Sequence, residues 1–208
     1  MPRVSETKKV SGILLAAGCS RRMGGQNKLL ADFAGRPMVR HVAETMLDAG
    51  LHNLIIVIGY QAELISAALD QLSCNLVFNP QFASGQGHSV AAGIAALDEA
   101  ATDAVIALGD MPLVSATILK DLVSGHLACV DHPRRITLPS REGKRGNPVI
   151  WGGTFFSELR QLRGDAGGRQ VLRDHYTAHN LVECSTSAIF QDIDTLADLQ
   201  SISGKHSV

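Results

Sequence analysis

The chain has 208 residues, 45% of them apolar and 19% charged, with a net charge of −1. That apolar content fills a core and excludes a disordered chain or a coiled coil, and the near-neutral balance excludes a nucleic-acid binder working through overall positive charge. No apolar run approaches the ~18 residues of a membrane helix and the first ten residues lack the apolar stretch of a signal peptide, so a cytoplasmic protein with no membrane partner is expected.

Short β-branched and aliphatic runs alternate with helical patterns, the signal for βαβ units around a largely parallel sheet. The spacing predicts a first strand over 10–16, then a glycine-rich loop to Lys28. Pro37 suits the first position of a helix over 37–49, and Gly50 its end. A buried strand over 54–58, a helix over 62–71 and a strand over 75–78 follow. Next come a small-residue helix over 87–98, able to lie close to the sheet, and a buried strand over 104–108. Ser115 is placed to cap the following helix. The second half is less regular, with strands over 136–138 and 148–151, a helix over 155–162, a short helix opened by Gly164 to Arg169, and a last strand over 189–193. Thr195 can cap a terminal helix to 199. The whole reads as a single α/β domain over 1–208, with an insertion after the fourth helix and flexible ends at 1–9 and 201–208.

Cys19, Cys74, Cys129 and Cys184 are evenly spaced, yet their flanks share nothing, so neither a repeat, a disulfide framework nor a zinc site is implied. The eight histidines show no HExxH spacing.

Three features carry chemistry. In Leu14 to Lys28, a strand runs into a turn with Gly18, Gly24 and Gly25, where free backbone N–H groups can cradle phosphate. Five Lys/Arg against one Asp between Gly18 and Arg40 point to an anionic ligand, although solvated arginines on a plain turn give the same count. Neither the Walker pattern nor the dinucleotide fingerprint is present, and Ile58-Gly59-Tyr60 offers no acid to hold a ribose. The second feature is Gly109-Asp110-Met111-Pro112, where a carboxylate at a strand's C-terminal end can be a Mg²⁺ ligand or simply a turn former. Near the far end, Asp192 and Asp194 flank Ile193, and one of the two is expected to face the same site. The third is Ser84 to Ser89, whose glycines around Gln86 invite a flat ligand such as a nucleobase to a helix N-terminus. His88 fits capping or packing better than base catalysis.

In this order and spacing the three features resemble the nucleotidyltransferase superfamily. The chain looks most like its MobA-like branch, the molybdenum cofactor cytidylyltransferases. The similarity runs through Leu15-Ala16-Ala17-Gly18 with Ser20, Arg22, Met23, Gly24 and Lys28; Gly85-Gln86-Gly87 with Ser89; Gly109 to Pro112; Gly146-Asn147-Pro148; and Asp192 to Thr195 with Asp198-Leu199. It implies a three-layer α/β/α fold with a mostly parallel Rossmann-like sheet. It also implies transfer of CMP from CTP to the terminal phosphate of molybdopterin, with release of pyrophosphate. Lys28, Arg22 and Asp110 would be catalytic. Leu15, Ala16, Ala17, Gly18, Arg22, Lys28, Gly59, Gly85, Gln86 and Ser89 would bind nucleotide, and Asp110 and Asp194 would hold Mg²⁺. Related guanylyltransferases carry two glycines where this chain has Ala17-Gly18, which favours CTP over GTP. A second basic cluster, five Lys/Arg and one Glu between Arg134 and Arg145, makes Arg145, Asn147 and Asp165 candidates for the acceptor. Guanylyl transfer, transfer to a sugar phosphate, and a non-catalytic carrier delivering the cofactor to a recipient molybdoenzyme remain as alternatives.

Overall fold

The structure, a computed structural model, describes residues 9–19, 27–195 and 197–199. Its strands are β1 (Val10–Ala16), β2 (Asp32–Phe33), β3 (Arg36–Pro37), β4 (Leu54–Ile58), β5 (Asn75–Phe78), β6 (Asp103–Leu108), β7 (Ile136–Arg141), β8 (Lys144–Arg145), β9 (Val149–Gly152) and β10 (His179–Glu183). The helices are α1 (Met38–Asp48), α2 (Ala62–Ala68), α3 (Gln86–Ala95), α4 (Ala116–Leu127), α5 (Phe156–Leu159) and α6 (Arg169–Asp174).

The main sheet is ordered β10-β7-β9-β6-β1-β4-β5, with β8 attached to β7. β1 is parallel to both its neighbours, β4 and β6, and β5 is parallel to β4. β9 runs antiparallel to β6 and to β7, while β10 closes the edge parallel to β7. β1 is buried along its whole length, as a strand covered on both faces must be. Its side chains alternate between those faces. Leu14 and Ala16 pack with Val42, Met46, Ile65, Leu119 and Leu122 from α1, α2 and α4. Ile13, Leu15 and Ala17 pack with Val90, Ile94, Leu159 and Val171 from α3, α5 and α6. The result is a three-layer α/β/α architecture on a mostly parallel sheet. Each fully buried aliphatic side chain contributes ~1.5–3 kcal/mol, so this two-sided core, rather than helix propensity, holds a helix as short as α5. The small residues of α3 serve its close approach, since a Cβ on Gly93 would stand 2.5 Å from Ile13 Cγ2.

Two expectations are corrected. Ala34 and Gly35, at φ 53° and 83°, turn a β2–β3 hairpin, so Pro37 ends a strand and α1 begins at Met38. Residues 189–193 form no strand. A 3₁₀ turn over Ser187–Phe190 stands there, with Thr186 Oγ1 accepting from the Ala188 N–H at 3.1 Å. The edge is taken by β10, whose mixed polar sequence shows neither an apolar run nor clean alternation.

From β1 the chain moves outward to β4 and β5, then crosses back to β6 on the other side of β1. Open α/β sheets bind ligands outside the strand ends at such a reversal, here the segments following Ala16 and Leu108.

Candidate active site

A cavity of about 510 Å³ opens at that crevice, within the range of small-molecule sites. Leu15, Ala17, Gly18, Lys28, Gly85, Gln86, Ser89, Asp110 and Asp194 all line it, as expected for the nucleotide and metal sets. Two expected residues do not. Ala16 points to the opposite face of β1 and is buried in the α1 layer, because only alternate residues can reach one side. Gly59 stands behind the wall, where a Cβ would meet Phe82 Cβ at 2.4 Å. Arg22, with Ser20, Met23 and Gly24, lies outside the described residues.

Lys28 begins a 3₁₀ turn capped by Asn27, whose Oδ1 accepts from the Leu29 N–H at 3.1 Å. Leu29 is buried beneath it, beside Gly109, where a Cβ would come within 3.2 Å of Leu29 Cδ2. So anchored, Lys28 Nζ lies 2.6 Å from Asp110 Oδ2 and 2.8 Å from Asp194 Oδ1. Burial alone would lower the lysine's pKa, but the Asp110 and Asp194 carboxylates outweigh it and hold the ammonium above its ordinary value. The segment bearing Asp194 is docked by one main-chain bond, Ile193 N–H to Asp110 O at 2.8 Å. Ile193 turns the other way, into a small cluster with Phe33 and Met38.

Of the acidic pair, Asp194 lines the cavity and meets Lys28, while Asp192 is exposed and outside that lining. In extended chain residues two apart share a face, and oxygens of Asp110, Asp192 and Asp194 lie within 4.8 Å of one another. Among the described residues, three carboxylates against one ammonium leave a formal −2, and Asp110 Oδ1 is buried without a hydrogen-bond partner. An all-oxygen cluster of that charge fits a hard divalent cation.

Opposite, the Gly85 and Gly87 pair also serves packing, while Gly85 and Gln86 line the cavity. A Cβ on Gly85 would stand 2.2 Å from the Gly164 carbonyl carbon, and one on Gly87 2.9 Å from the Arg163 carbonyl. The glycines admit the backbone of 163–165 over the α3 N-terminus. Gly18, by contrast, has nothing within 4 Å of its Cβ position among the described residues and leaves room for a ligand.

The acceptor candidates separate. A smaller cavity of about 110 Å³ shares Leu15, Gln86 and Leu108 with the first and is lined by Asn147, Trp151 and Arg169. Asp165 lies instead on the larger cavity, beside Gly85 and Gln86. Arg145 lines neither. It sits on exposed β8, 5.7 Å above the Tyr176 ring and 3.1 Å from His179 Nδ1. Arg135 is likewise engaged, with Asp131, and Arg36 and Arg40 with Glu44. Arg36, Arg40, Arg135 and Arg145 are therefore held in local contacts, which residue counting cannot distinguish from an anion site.

The sequence pattern of the MobA-like NTP transferase domain matches residues 12–180, from β1 into β10. The chain belongs to the MobA-like NTP transferase family. It is 33% identical over 200 residues to nicotine blue oxidoreductase of Paenarthrobacter nicotinovorans, covering 91% of this chain and 94% of that one. To the purine catabolism protein PucB of Bacillus subtilis (strain 168) it is 32% identical over 193 residues, 88% and 91% of the two chains. In fold it is similar to Rv0371c from Mycobacterium tuberculosis H37Rv, with a TM-score of 0.81, 24% identity and coverage of 95% and 98%. A further crystal structure of Rv0371c is a complex with manganese, with a TM-score of 0.79, 23% identity and coverage of 97% and 100%.

In this MobA-like transferase, further residues support the site. Asn79 is buried and donates from Nδ2 to Ser89 Oγ at 3.0 Å, fixing that hydroxyl at the cavity wall. Asp198 Oδ2 accepts from the Asp194 N–H at 3.2 Å and the Thr195 N–H at 2.8 Å, and Thr195 Oγ1 accepts in turn from the Asp198 N–H at 3.2 Å. That reciprocal pair is a capping box, legible from the Thr-x-x-Asp spacing, and it steadies Asp194. The hydrogen bonds from Thr195 hold the Asp198 carboxyl below its ordinary pKa. Cys19 also lines the cavity, and all four cysteines are free thiols.

Proposed function

We propose that this transferase moves CMP from CTP to the terminal phosphate of molybdopterin, releasing pyrophosphate. An acceptor phosphate oxygen bonds to the α-phosphorus as the bond to the pyrophosphate oxygen breaks. A phosphate monoester already carries the negative charge to attack, so no base is needed. The chain's task is placement, worth up to ~7–11 kcal/mol through effective molarity, and charge. The observation that carries the reading is the convergence of Lys28, Asp110 and Asp194 on the larger cavity, with an Asp192 oxygen within 4.8 Å of oxygens of the other two aspartates. Asp110 and Asp194, joined by Asp192, would hold Mg²⁺, which when bound supplies Lewis-acid charge to the phosphates. Lys28, and Arg22 from the preceding turn, would offset charge on the α-phosphate and pyrophosphate. Ala17-Gly18 supports CTP over GTP. The four free thiols fit a reducing compartment, so we assign the protein to the cytoplasm.

Pyrophosphate release measured with each of four NTPs, against molybdopterin and sugar phosphates, tests this. Turnover is expected with CTP and molybdopterin, and Asp110→Asn should lower it ~10²–10³-fold. Release with GTP or a sugar phosphate alone would reassign the substrates within the family. Full activity in Asp110→Asn would remove Asp110 from the catalytic set, and no release with any NTP would favour a carrier. One relative is named an oxidoreductase, so nicotinamide oxidation is followed in parallel, and its appearance without pyrophosphate would sink the transfer.

A further inference from the structure

At the amino-terminal end of β6, opposite the transfer site, three ionisable side chains are buried together. Asp103 opens β6, His126 lies in the last turn of α4, and His132 lies in the 3₁₀ turn that follows. Asp103 and His126 are fully shielded and His132 is 7% exposed. A carboxylate so placed costs several kcal/mol unless compensated. His126 Nε2 lies 3.1 Å from Asp103 Oδ1 and His132 Nδ1 lies 3.0 Å from Oδ2. Yet among the described residues neither nitrogen, nor Oδ1, has an aligned hydrogen-bond partner. The donor atoms lie within 4.8 Å of one another, and the two rings meet at 65° with centroids 5.6 Å apart. Short separations without alignment are what lone pairs aimed at a common centre produce.

We propose that Asp103, His126 and His132 form a structural site for a zinc-type cation. A bidentate Asp103 with two imidazole nitrogens supplies four donors, the full set of a closed structural site. Donors around zinc stand roughly 3.3 Å apart for bonds of about 2.0–2.2 Å, so the observed 3.0 and 3.1 Å need only slight expansion. A second ring of contacts orients the ligands, as metal-bound imidazoles and carboxylates require. His126 Nδ1 is 2.8 Å from Thr137 Oγ1, which accepts from Asn180 Nδ2 at 3.1 Å, and Thr102 Oγ1 donates to Asp103 Oδ2 at 2.8 Å. Imidazole donors select a transition metal, whereas the oxygen-only cluster at Asp110 selects a harder ion, so the two centres sort cations by donor type. The ion would tie the start of β6 to the end of α4 and the turn leading into β7. It has no part in nucleotidyl transfer and does not depend on that reading.

The test uses the full chain. Metal analysis of protein purified without chelator should find roughly one zinc per chain, and cobalt substitution should give the strong visible bands of a four-coordinate site. Protein stripped by unfolding in chelator and refolded in Mg²⁺ should melt roughly 5–10 °C lower than the same protein given zinc a hundredfold above its Kd. His132→Asn keeps a donor towards Asp103 but is a poor zinc ligand, and should lose both the metal and the cobalt bands. Asp110→Asn should keep them. Zinc that survives His132→Asn, or a stripped protein whose melting point ignores added zinc, would overturn the proposal.

Discussion

Lys28 occupies the position a cation would take, and this sets the behaviour of the site at the scale of one residue. Its ammonium and a divalent ion compete for the same oxygens of Asp110 and Asp194. Lys28→Met should therefore bind Mg²⁺ about tenfold more tightly without nucleotide, because a unit charge ~4 Å away at an effective dielectric of ~20 is worth ~4 kcal/mol before screening. The same variant should lose ~10²–10³ in turnover, since the Lys28 ammonium no longer offsets charge on the phosphates. Calorimetric Mg²⁺ titration checks the first and pyrophosphate release the second; weaker metal binding in Lys28→Met would refute the competition. The lysine pKa is raised above its ordinary 10.5, so its stabilising pairing is complete below that pH and is lost only as pH rises through the higher folded value. The competition should accordingly be flat across neutral pH. Each of these residues was legible singly, in a glycine-rich turn, a strand end and an acidic pair. Their meeting was legible only through the family resemblance, because 166 positions separate Lys28 from Asp194, and the bond that docks the Asp194 segment on Asp110 runs from the main chain of Ile193, which no side-chain pattern encodes.

Among the elements, those buried on both faces were the ones the sequence announced. β1 and β4 have the bounds expected, because a continuous apolar run between glycine or polar punctuation leaves little freedom of register; β5, a largely exposed edge strand, is the exception that its Leu76-Val77-Phe78 run still announced. β10 and the 3₁₀ turn near Ala188 were hidden, since an edge strand half open to water carries no such run and a short turn is fixed by one threonine cap. The α3 N-terminus is the informative intermediate. Its glycines were visible, but the group approaching them is the backbone of 163–165. Gly85 adopts φ 116°, so Gly85→Ala meets both backbone strain and that loop. A cost of ~1–3 kcal/mol is expected, a fall of roughly 2–10 °C in melting temperature, with the nucleotide KM rising more than kcat changes. Gly18→Ala should keep its melting temperature, with open space at its Cβ among the described residues, yet weaken nucleotide binding. Calorimetry and steady-state kinetics on the two variants separate a glycine that packs from one that admits ligand.

For the whole molecule, the sheet reversal at β1 places two connected cavities on one crevice, and the division of labour between them is testable. Leu15, Gln86 and Leu108 form the shared wall, so a group in the smaller cavity lies next to the nucleotide cavity. Asn147 offers amide donors and an acceptor, Trp151 a flat face, and Arg169 a cation, a combination suited to a heterocycle bearing phosphate. Asn147→Ala and Arg169→Ala should each raise the acceptor KM ~10-fold or more while leaving the CTP KM within twofold, as expected when one polar contact worth ~1.5–3 kcal/mol is removed. Arg145→Ala should change neither, because that guanidinium rests on Tyr176. Its effect should fall on His179, whose pKa lies below its ordinary 6.5 because of burial first and the Arg145 charge second. A histidine with a depressed folded pKa destabilises the protein as pH falls below 6.5, because the unfolded chain then binds the extra proton. Removing Arg145 should bring the His179 titration back towards 6.5 and lessen that loss of stability, as NMR titration and melting at pH 5 and 7 would show. A raised acceptor KM in Arg145→Ala would instead return β8 to the acceptor site and the smaller cavity to packing.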